Sequence, residues 1–311
     1  MEAILSTIPN LLATTIRMTV PLLFVAIAEL FSERAGLVNI GLDGLMSIGA
    51  LVGFLAGYYS GDAWLGVLAG MIAGIVVNLI YAVCTVSLCV DQTVTGMAIN
   101  ILAPAVATFT YKTAFGDSSS LVQGVEMAEL DIPLLSSIPV IGEAFFQQTP
   151  LAYLAYLLVP LSAIFFNNMR SGVNYRAVGE NPQAAETLGI DVIKTKYLAC
   201  IICGALAGIG GAFLTLCYTS TYADGVVAGR GFISLSAVIF GRWLPSGSLI
   251  ACLLFGFCDA LQIVLQVSLP SVPYQLLQML PYVVTLVALV IMGSKSAGPK
   301  ANGQPYYREE R

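Results

Sequence analysis

The sequence predicts an all-α polytopic membrane protein with about 8–10 transmembrane helices, some of them broken or re-entrant, and three observations predict it. Only 10% of the 311 residues are charged and 58% are hydrophobic, whereas a soluble domain carries roughly a quarter charged residues and about half apolar ones. Charge is also missing over long runs. Between Ala35 and Val90 only Asp43 and Asp62 carry it, and between Trp243 and Ser294 only Asp259 does. Apolar stretches near 20 residues, repeated along a chain, have the length of lipid-spanning helices. Finally, glycine and proline punctuate several of these stretches. Helices are the expected form because backbone in lipid must satisfy its own hydrogen bonds, and barrel strands would alternate over about ten residues.

The candidate spans lie near 11–31, 41–59, 64–89, 93–111, 150–167, 197–218, 230–241, 247–268 and 274–293. The first carries Pro21, and the Met-Glu-Ala start lacks the cationic region of a signal peptide, so this segment is expected to stay as a span. Glu29, close to Glu33 and Arg34, is expected at the membrane interface. Gly36, Gly41 and Gly44 break the second span, Pro104 sits within the fourth, and Gly225, Gly229 and Gly231 break the seventh. The sixth holds a C-x-x-C, Cys200 and Cys203. With no second pair to complete a zinc cage, these and the other five cysteines read as buried thiols rather than metal ligands. The chain has no histidine, which excludes His-ligated metal and haem sites. A net charge of −5 argues against nucleic acid as a partner, which would want a basic patch.

Basic residues set the orientation. Arg170, Arg176, Lys194 and Lys196 lie in the segment 170–196, and Lys295, Lys300, Arg308 and Arg311 in the tail, so both belong inside by the positive-inside rule. The stretch 113–149 holds Asp117, Glu126, Glu129, Asp131 and Glu143 and belongs outside as an extracellular loop. Counting spans puts Arg242, Glu33 and Arg34 inside and the N-terminus outside. The chain therefore reads as one transmembrane domain over 1–293, with halves at about 1–112 and 150–293, followed by a disordered cytoplasmic tail over 294–311. Residues 36–50, GLVNIGLDGLMSIGA, and 229–241, GRGFISLSAVIFG, share glycine placement and the small-residue helix that follows. Duplicated broken helices whose halves meet near the midplane are common in transporters, although small-residue packing alone also produces such likeness.

The most informative stretch is GENPQAAETLGIDVIK, 179–194. Asn181 is a good N-cap, Pro182 suits the first helical position, and Gly189 stands where a left-handed C-terminal cap belongs. Between them Gln183, Ala184, Ala185, Glu186, Thr187 and Leu188 form a short helix. Such a helix is unstable alone and must pack on something, and Ala184, Ala185 and Leu188 offer a small apolar face suited to a groove.

This segment resembles the coupling helix of ABC-importer permeases, whose loose signature is E-A-A, three residues, then glycine. Gln183, Ala184, Ala185 and Gly189 match it, with glutamine in place of glutamate. SERAGLVNIGLDGLMSIGA (32–50), DQTVTGMAINILA (91–103) and AGRGFISLSAVIFGRWLPSGSLIACLLFGFCDALQIVLQ (228–266) extend the resemblance over nearly the whole chain. Together they are similar to the permease class that imports nucleosides and simple sugars, related to the ribose and branched-chain amino acid permeases. Asp43 departs from the glutamate expected in most relatives, which keeps the charge and shortens its reach. The resemblance implies a transport subunit rather than an enzyme, in a bacterial plasma membrane. It implies a second, similar permease that pairs with this chain as a heterodimer to complete the pathway, a cytoplasmic ATP-binding subunit gripping the helix at 182–188, and an extracellular binding lipoprotein delivering substrate. No cofactor belongs to the chain itself. It contains no G-x-x-x-x-G-K-[ST] phosphate loop, so any ATP would be hydrolysed by another chain.

Polar side chains within spans are expensive and usually face the protein interior or a water-filled path. Asp259, Gln262 and Gln266, at i, i+3 and i+7, share a helical face. They are candidates for lining the pathway or, alternatively, for bonding helix to helix. Asn39 and Asp43 lie four apart in the first broken segment, and Arg230 stands at the entrance to its counterpart. Asp43 or Asp259 is expected to pair with a buried cation or donor, Arg230 among them, holding the broken helices in register, unless these groups and the helix N-termini touch substrate. Asn78, Asn100, Phe232, Tyr274, Gln278 and Tyr282 complete the pathway candidates. An ion-coupled carrier using Asp43 and Asp259 is the alternative class, but it has no need of a docking helix. An intramembrane enzyme lacks a plausible nucleophile–base pair.

Overall fold

A computed structural model of the chain describes residues 2–116, 122–131, 145–268, 273–292 and 298–307. Helix α1 (Glu2–Arg34) runs through Pro9 and Pro21 without ending. An irregular stretch, 35–41, leads into α2 (Leu42–Ser60). Next come α3 (Ala63–Ala82), extended by a π-helical turn at Val83–Ser87, and α4 (Gln92–Phe115), which continues through Pro104. The two prolines flagged as interruptions therefore break neither helix. A two-stranded pairing of Leu130–Asp131 with Gln147–Gln148 precedes α5 (Pro150–Asn168).

The segment 170–196 contains α6 (Arg170–Glu180), α7 (Pro182–Thr187) and the start of α8 (Val192–Phe213), which also ends in a π turn, Leu214–Tyr218. A second irregular stretch, 219–229, opens α9 (Arg230–Phe240), and α10 (Pro245–Ser268) follows. The ninth expected span is two helices, α11 (Tyr274–Gln278) and α12 (Leu280–Met292). Pro281 explains the division, since its ring nitrogen cannot donate back to the residue 277 carbonyl.

Loop carboxylates start the helices. Asp62 accepts from the Trp64 amide (2.8 Å), Asp91 from Val94 (2.9 Å) and Asp191 from Lys194 (3.0 Å), each satisfying an otherwise orphaned N–H. Seven helices among the described residues are long and apolar enough to cross a membrane: Pro9–Arg34, Leu42–Ser60, Ala63–Ser87, Gln92–Phe115, Pro150–Asn168, Val192–Tyr218 and Pro245–Gln266. The chain is thus a multi-pass membrane protein. Helix α9, with 11 residues, reaches only about 16 Å and cannot cross alone.

Helices α1 and α8 are the most enclosed of these, and α3 packs most extensively on α8. Small residues permit that approach. A Cβ on Gly204 would stand 2.6 Å from the Gly74 carbonyl oxygen, so the two backbones touch where a side chain would part them. The outer faces of α3 and α4 expose Leu68, Ile72, Val76, Ile101 and Phe109, a display that lipid tolerates and water would not.

The charges separate between the two ends of the bundle. At one end Arg17 pairs with Glu129 (2.5 Å), and residues 123–127 bond to 216–221. At the other, Arg34 donates to the Trp243 carbonyl (3.0 Å), and residues 298–307 lie against α6 and α7. This last segment corrects the expected disordered tail. Ala301 and Tyr306 are buried, and the Ala301 amide donates to the Gly179 carbonyl (2.9 Å). Its Pro, Ala and Tyr residues find an apolar seat on α6 and α8 that composition does not reveal.

Candidate functional site

The two irregular stretches enter the bundle from opposite ends, and the helices they open begin side by side. One carboxylate oxygen of Asp43, in the first turn of α2, accepts a hydrogen bond from the Gly231 amide at the start of α9 (3.0 Å). Gly231 has no room for a side chain, because a Cβ there would run into the Asp43 backbone. This junction is the meeting of broken halves that the repeat implies. Its fastening differs from the ion pair considered above. Arg230 directs Nη1 to the carbonyls of Val226 (3.1 Å) and Val227 (3.2 Å), while its buried Nε lacks a partner. Among the described residues no ion pair joins Arg230 to Asp43 or Asp259. Aspartate suffices for the amide because Gly231 brings the backbone so close.

A clamp of side chains holds the stretch 35–41, whose backbone has no helix to satisfy it. Gln92 accepts from the Val38 amide (2.8 Å), Tyr81 donates to the Val38 carbonyl (2.7 Å), and Glu29 accepts from the Asn39 amide (2.9 Å). Asn39 bonds the Gly41 amide (2.9 Å) and Asn78 (2.8 Å), and Asn78 in turn donates to the Cys200 carbonyl (2.6 Å). Asn100 accepts from the Gly44 amide (2.7 Å) and donates to the Ile40 carbonyl (2.6 Å). Unsatisfied backbone in a water-free interior is costly, which accounts for this density of polar side chains.

Three expectations change here. Asn39 and Asn78 have no exposed surface, so in this conformation they cannot line an open path; Asn39 serves the broken backbone at Gly41, and Asn78 ties Asn39 to the Cys200 carbonyl of α8. Glu29, expected at the interface, is fully buried. The sequence signal was available in the apolar run around it, VAIAELF. Gln92 and Tyr81 were not foreseen, because their targets are more than forty residues distant in sequence.

Arg230, Asp259 and Gln262 do come together. With Tyr218, Met18, Ile233 and neighbours they line a cleft of about 140 Å³ between α1, α9 and α10. Tyr218 is the last residue of the π turn that ends α8, a kind of irregularity often found at functional sites. The cleft offers a guanidinium, a carboxylate, an amide and a phenol among apolar walls, enough to bind a neutral polyhydroxylated solute by paired donors and acceptors. Gln266 and Phe232 lie outside it and are exposed. The side chains of Tyr274, Gln278 and Tyr282 fall outside the described residues.

At the basic end, α7 is built as the caps imply. Asn181 accepts from the Ala184 amide (3.0 Å), and Gly189 adopts φ +83°, letting the Ile190 amide reach back to the Ala185 carbonyl (3.1 Å). The apolar face divides differently from the expectation. Ala185 is buried against Val178, Val192 and Tyr306, whereas Ala184 is exposed and Leu188 is 80% exposed. Residues 184 and 188 share one side of the helix, and residue 185 lies about 100° round from 184. Leu188 is therefore the one large apolar group that α7 presents outward. Helix α6 anchors this region through Tyr175, whose hydroxyl donates to the Phe31 carbonyl (2.8 Å). Burial holds that phenol well above the ordinary tyrosine range, so it stays a neutral donor.

The model of the family "branched-chain amino acid transport system / permease component" matches residues 11–292. The chain is 37% identical to the nucleoside ABC transporter permease protein NupC of Lactococcus lactis subsp. cremoris over 316 residues, 99% of each chain. It is 36% identical to the guanosine ABC transporter permease protein NupQ of Bacillus subtilis, covering 94% of each. It is 34% identical to the putative glucose ABC transporter permease protein TsgC13 of Haloferax volcanii, over 96% of this chain and 98% of that one. The same Lactococcus and Bacillus strains also carry more distant matches, NupB (33% over 103 residues) and NupP (26% over 295 residues). No solved structure matches.

Proposed function

The chain belongs to the branched-chain amino acid transport system / permease component family, and from that premise we propose that it is the membrane-spanning permease of an ATP-driven nucleoside importer. The observation that carries the substrate class is near full-length identity of 37% and 36% with permeases named for nucleosides and for guanosine. A permease subunit is a transport component and not an enzyme. The ion-coupled alternative finds no support, since the curated relatives named above are all ABC transporter permeases.

The basic end faces the cytoplasm of a bacterial cell and the acidic loop faces outward. A second permease completes the pathway. Support for this comes from the paired permeases NupB with NupC and NupP with NupQ, each pair from one organism. A separate ATPase grips α7 through Leu188 and the side chains of Gln183 and Ala184. An extracellular binding lipoprotein delivers the nucleoside at the acidic end. Because that protein sets specificity, the membrane site needs only weak, reversible contacts, which the cleft of Arg230, Asp259, Gln262 and Tyr218 supplies.

Expression with its genomic neighbours, purification and reconstitution into proteoliposomes test the proposal. The expected result is co-purification of an ATP-hydrolysing subunit and nucleoside uptake that requires ATP and survives collapse of the ion gradient. Uptake that is competed by glucose and not by guanosine would move the substrate to simple sugars. Absence of any ATPase from the complex would end the reading.

A further inference from the structure

The ordered C-terminal segment has no part in the function proposed so far, although it touches nearly every moving element that function requires. It lies on the coupling helix through Tyr306, whose hydroxyl donates to the Glu186 carboxylate (2.5 Å). Its ring lies under the buried Lys196 ammonium of α8, 5.9 Å from the centroid. The Ala301 amide donates to the Gly179 carbonyl at the end of α6 (2.9 Å). On the other side the segment reaches the last turn of α1 and the first broken stretch that follows it. Asn302 donates to Glu33 (3.1 Å), Gln304 accepts from Gln92 (3.4 Å), and the Ala301 carbonyl lies over Gly36, where a Cβ would stand 3.3 Å away. Gly298 packs on the Trp243 indole in the turn joining α9 to α10, and that indole donates to Glu33.

We propose that residues 298–307 are a strap that positions the coupling helix against the first broken stretch, with Tyr306 and Asn302 as its two fastenings. The strap joins two places that have to move together. One is α7, where an ATPase would push or pull. The other is the stretch 35–41, whose far end carries Asp43 and the junction with Gly231. Gln92 is shared between them, since it holds the Val38 amide with its oxygen and the Gln304 carbonyl with its nitrogen. Glu33 is shared likewise between Trp243 and Asn302. Displacement of α7 thus reaches the broken stretch through bonded groups, and through Trp243 it reaches the end of α9. Coupling of this kind requires two ends fastened to one stiff element, and the burial of Ala301 and Tyr306 supplies the stiffness.

The inference rests on the importer reading, and its test separates the two. The full complex is reconstituted with the Tyr306→Phe, Asn302→Ala double variant and, separately, with residues 298–311 deleted. Assembly with the ATPase and basal ATP hydrolysis should match the parent complex, because neither residue belongs to the exposed face of α7. Nucleoside taken up per ATP hydrolysed should fall at least about tenfold, the factor equivalent to losing one hydrogen bond to a charged group, since each variant removes two such bonds. An unchanged uptake-to-hydrolysis ratio in both variants overturns the strap. Dissociation of the ATPase from the double variant overturns it too, because the segment would then be a docking element. A parent complex without any ATPase overturns the importer reading and the strap with it.

Discussion

Asn100→Leu distinguishes a side chain that serves the fold from one that serves the substrate. Leucine has the same number of heavy side-chain atoms branched at Cγ, so the substitution removes both polar atoms and adds only methyl bulk. In the native chain one amide satisfies two backbone groups where the broken stretch meets α2, the Gly44 N–H at 2.7 Å and the Ile40 carbonyl at 2.6 Å. Leucine satisfies neither. Leaving a buried donor or acceptor unpaired costs about 1–3 kcal/mol, so two cost about 2–6 kcal/mol. At the scaling of larger domains this lowers the thermal midpoint on the order of 10 °C. Asn100→Asp keeps the acceptor for Gly44 but turns a carboxylate oxygen against the Ile40 carbonyl, and should also lower the midpoint. The assay is thermal unfolding of the detergent-solubilised chain, followed by tryptophan fluorescence, beside nucleoside uptake in liposomes. A leucine variant as stable as the parent, but with weakened nucleoside affinity, would refute the clamp and restore Asn100 to the pathway.

Asp43→Asn retains an oxygen acceptor for the Gly231 amide and should keep most uptake, whereas Asp43→Ala parts the broken halves and lowers uptake at least about tenfold. Equal loss in both would mean that the charge, and not the bond, is required. Leu188→Glu should leave thermal stability within about 0.5 kcal/mol, because the residue is 80% exposed. By contrast it should weaken capture of the ATPase about tenfold to a hundredfold in a pull-down titration, the equivalent of one buried leucine. Gly204→Ala forces a Cβ to within 2.6 Å of the Gly74 carbonyl and should cost about 1–3 kcal/mol of stability, read as a lower midpoint in the same thermal assay.

The parts of this protein legible in its sequence are those governed by one segment at a time. Scarcity of charge and the length of the apolar runs determine a membrane helix bundle, because lipid penalises exposed polar groups wherever they occur along the chain. The coupling helix was equally legible. Asn181, Pro182 and Gly189 act on backbone within a few residues of themselves, and the observed caps follow from their local chemistry. The glycines that flank the two broken stretches likewise marked where the helices would stop.

The tertiary structure decided which side chains answer those breaks. Asn39, Asn78 and Asn100 are polar residues in spans, and nothing in their spacing distinguishes a path-lining amide from one bonded to distant backbone. Only the approach of α3, α4 and α8 to the stretch 35–41 makes that choice. The same holds for the residues gathered in the cleft. Asp259 and Gln262 share a helical face by period alone, but Arg230 and Tyr218 join them through folding that brings α8, α9 and α10 together. The C-terminal segment is the clearest case. Its polar composition suggests a loose tail, yet Tyr306 and Asn302 find Glu186 and Glu33 more than a hundred residues away. Local chemistry determines where a helix begins and ends. Which buried polar group is paired depends on partners that only the packed bundle supplies, because an unpaired group there costs more than any local preference offsets.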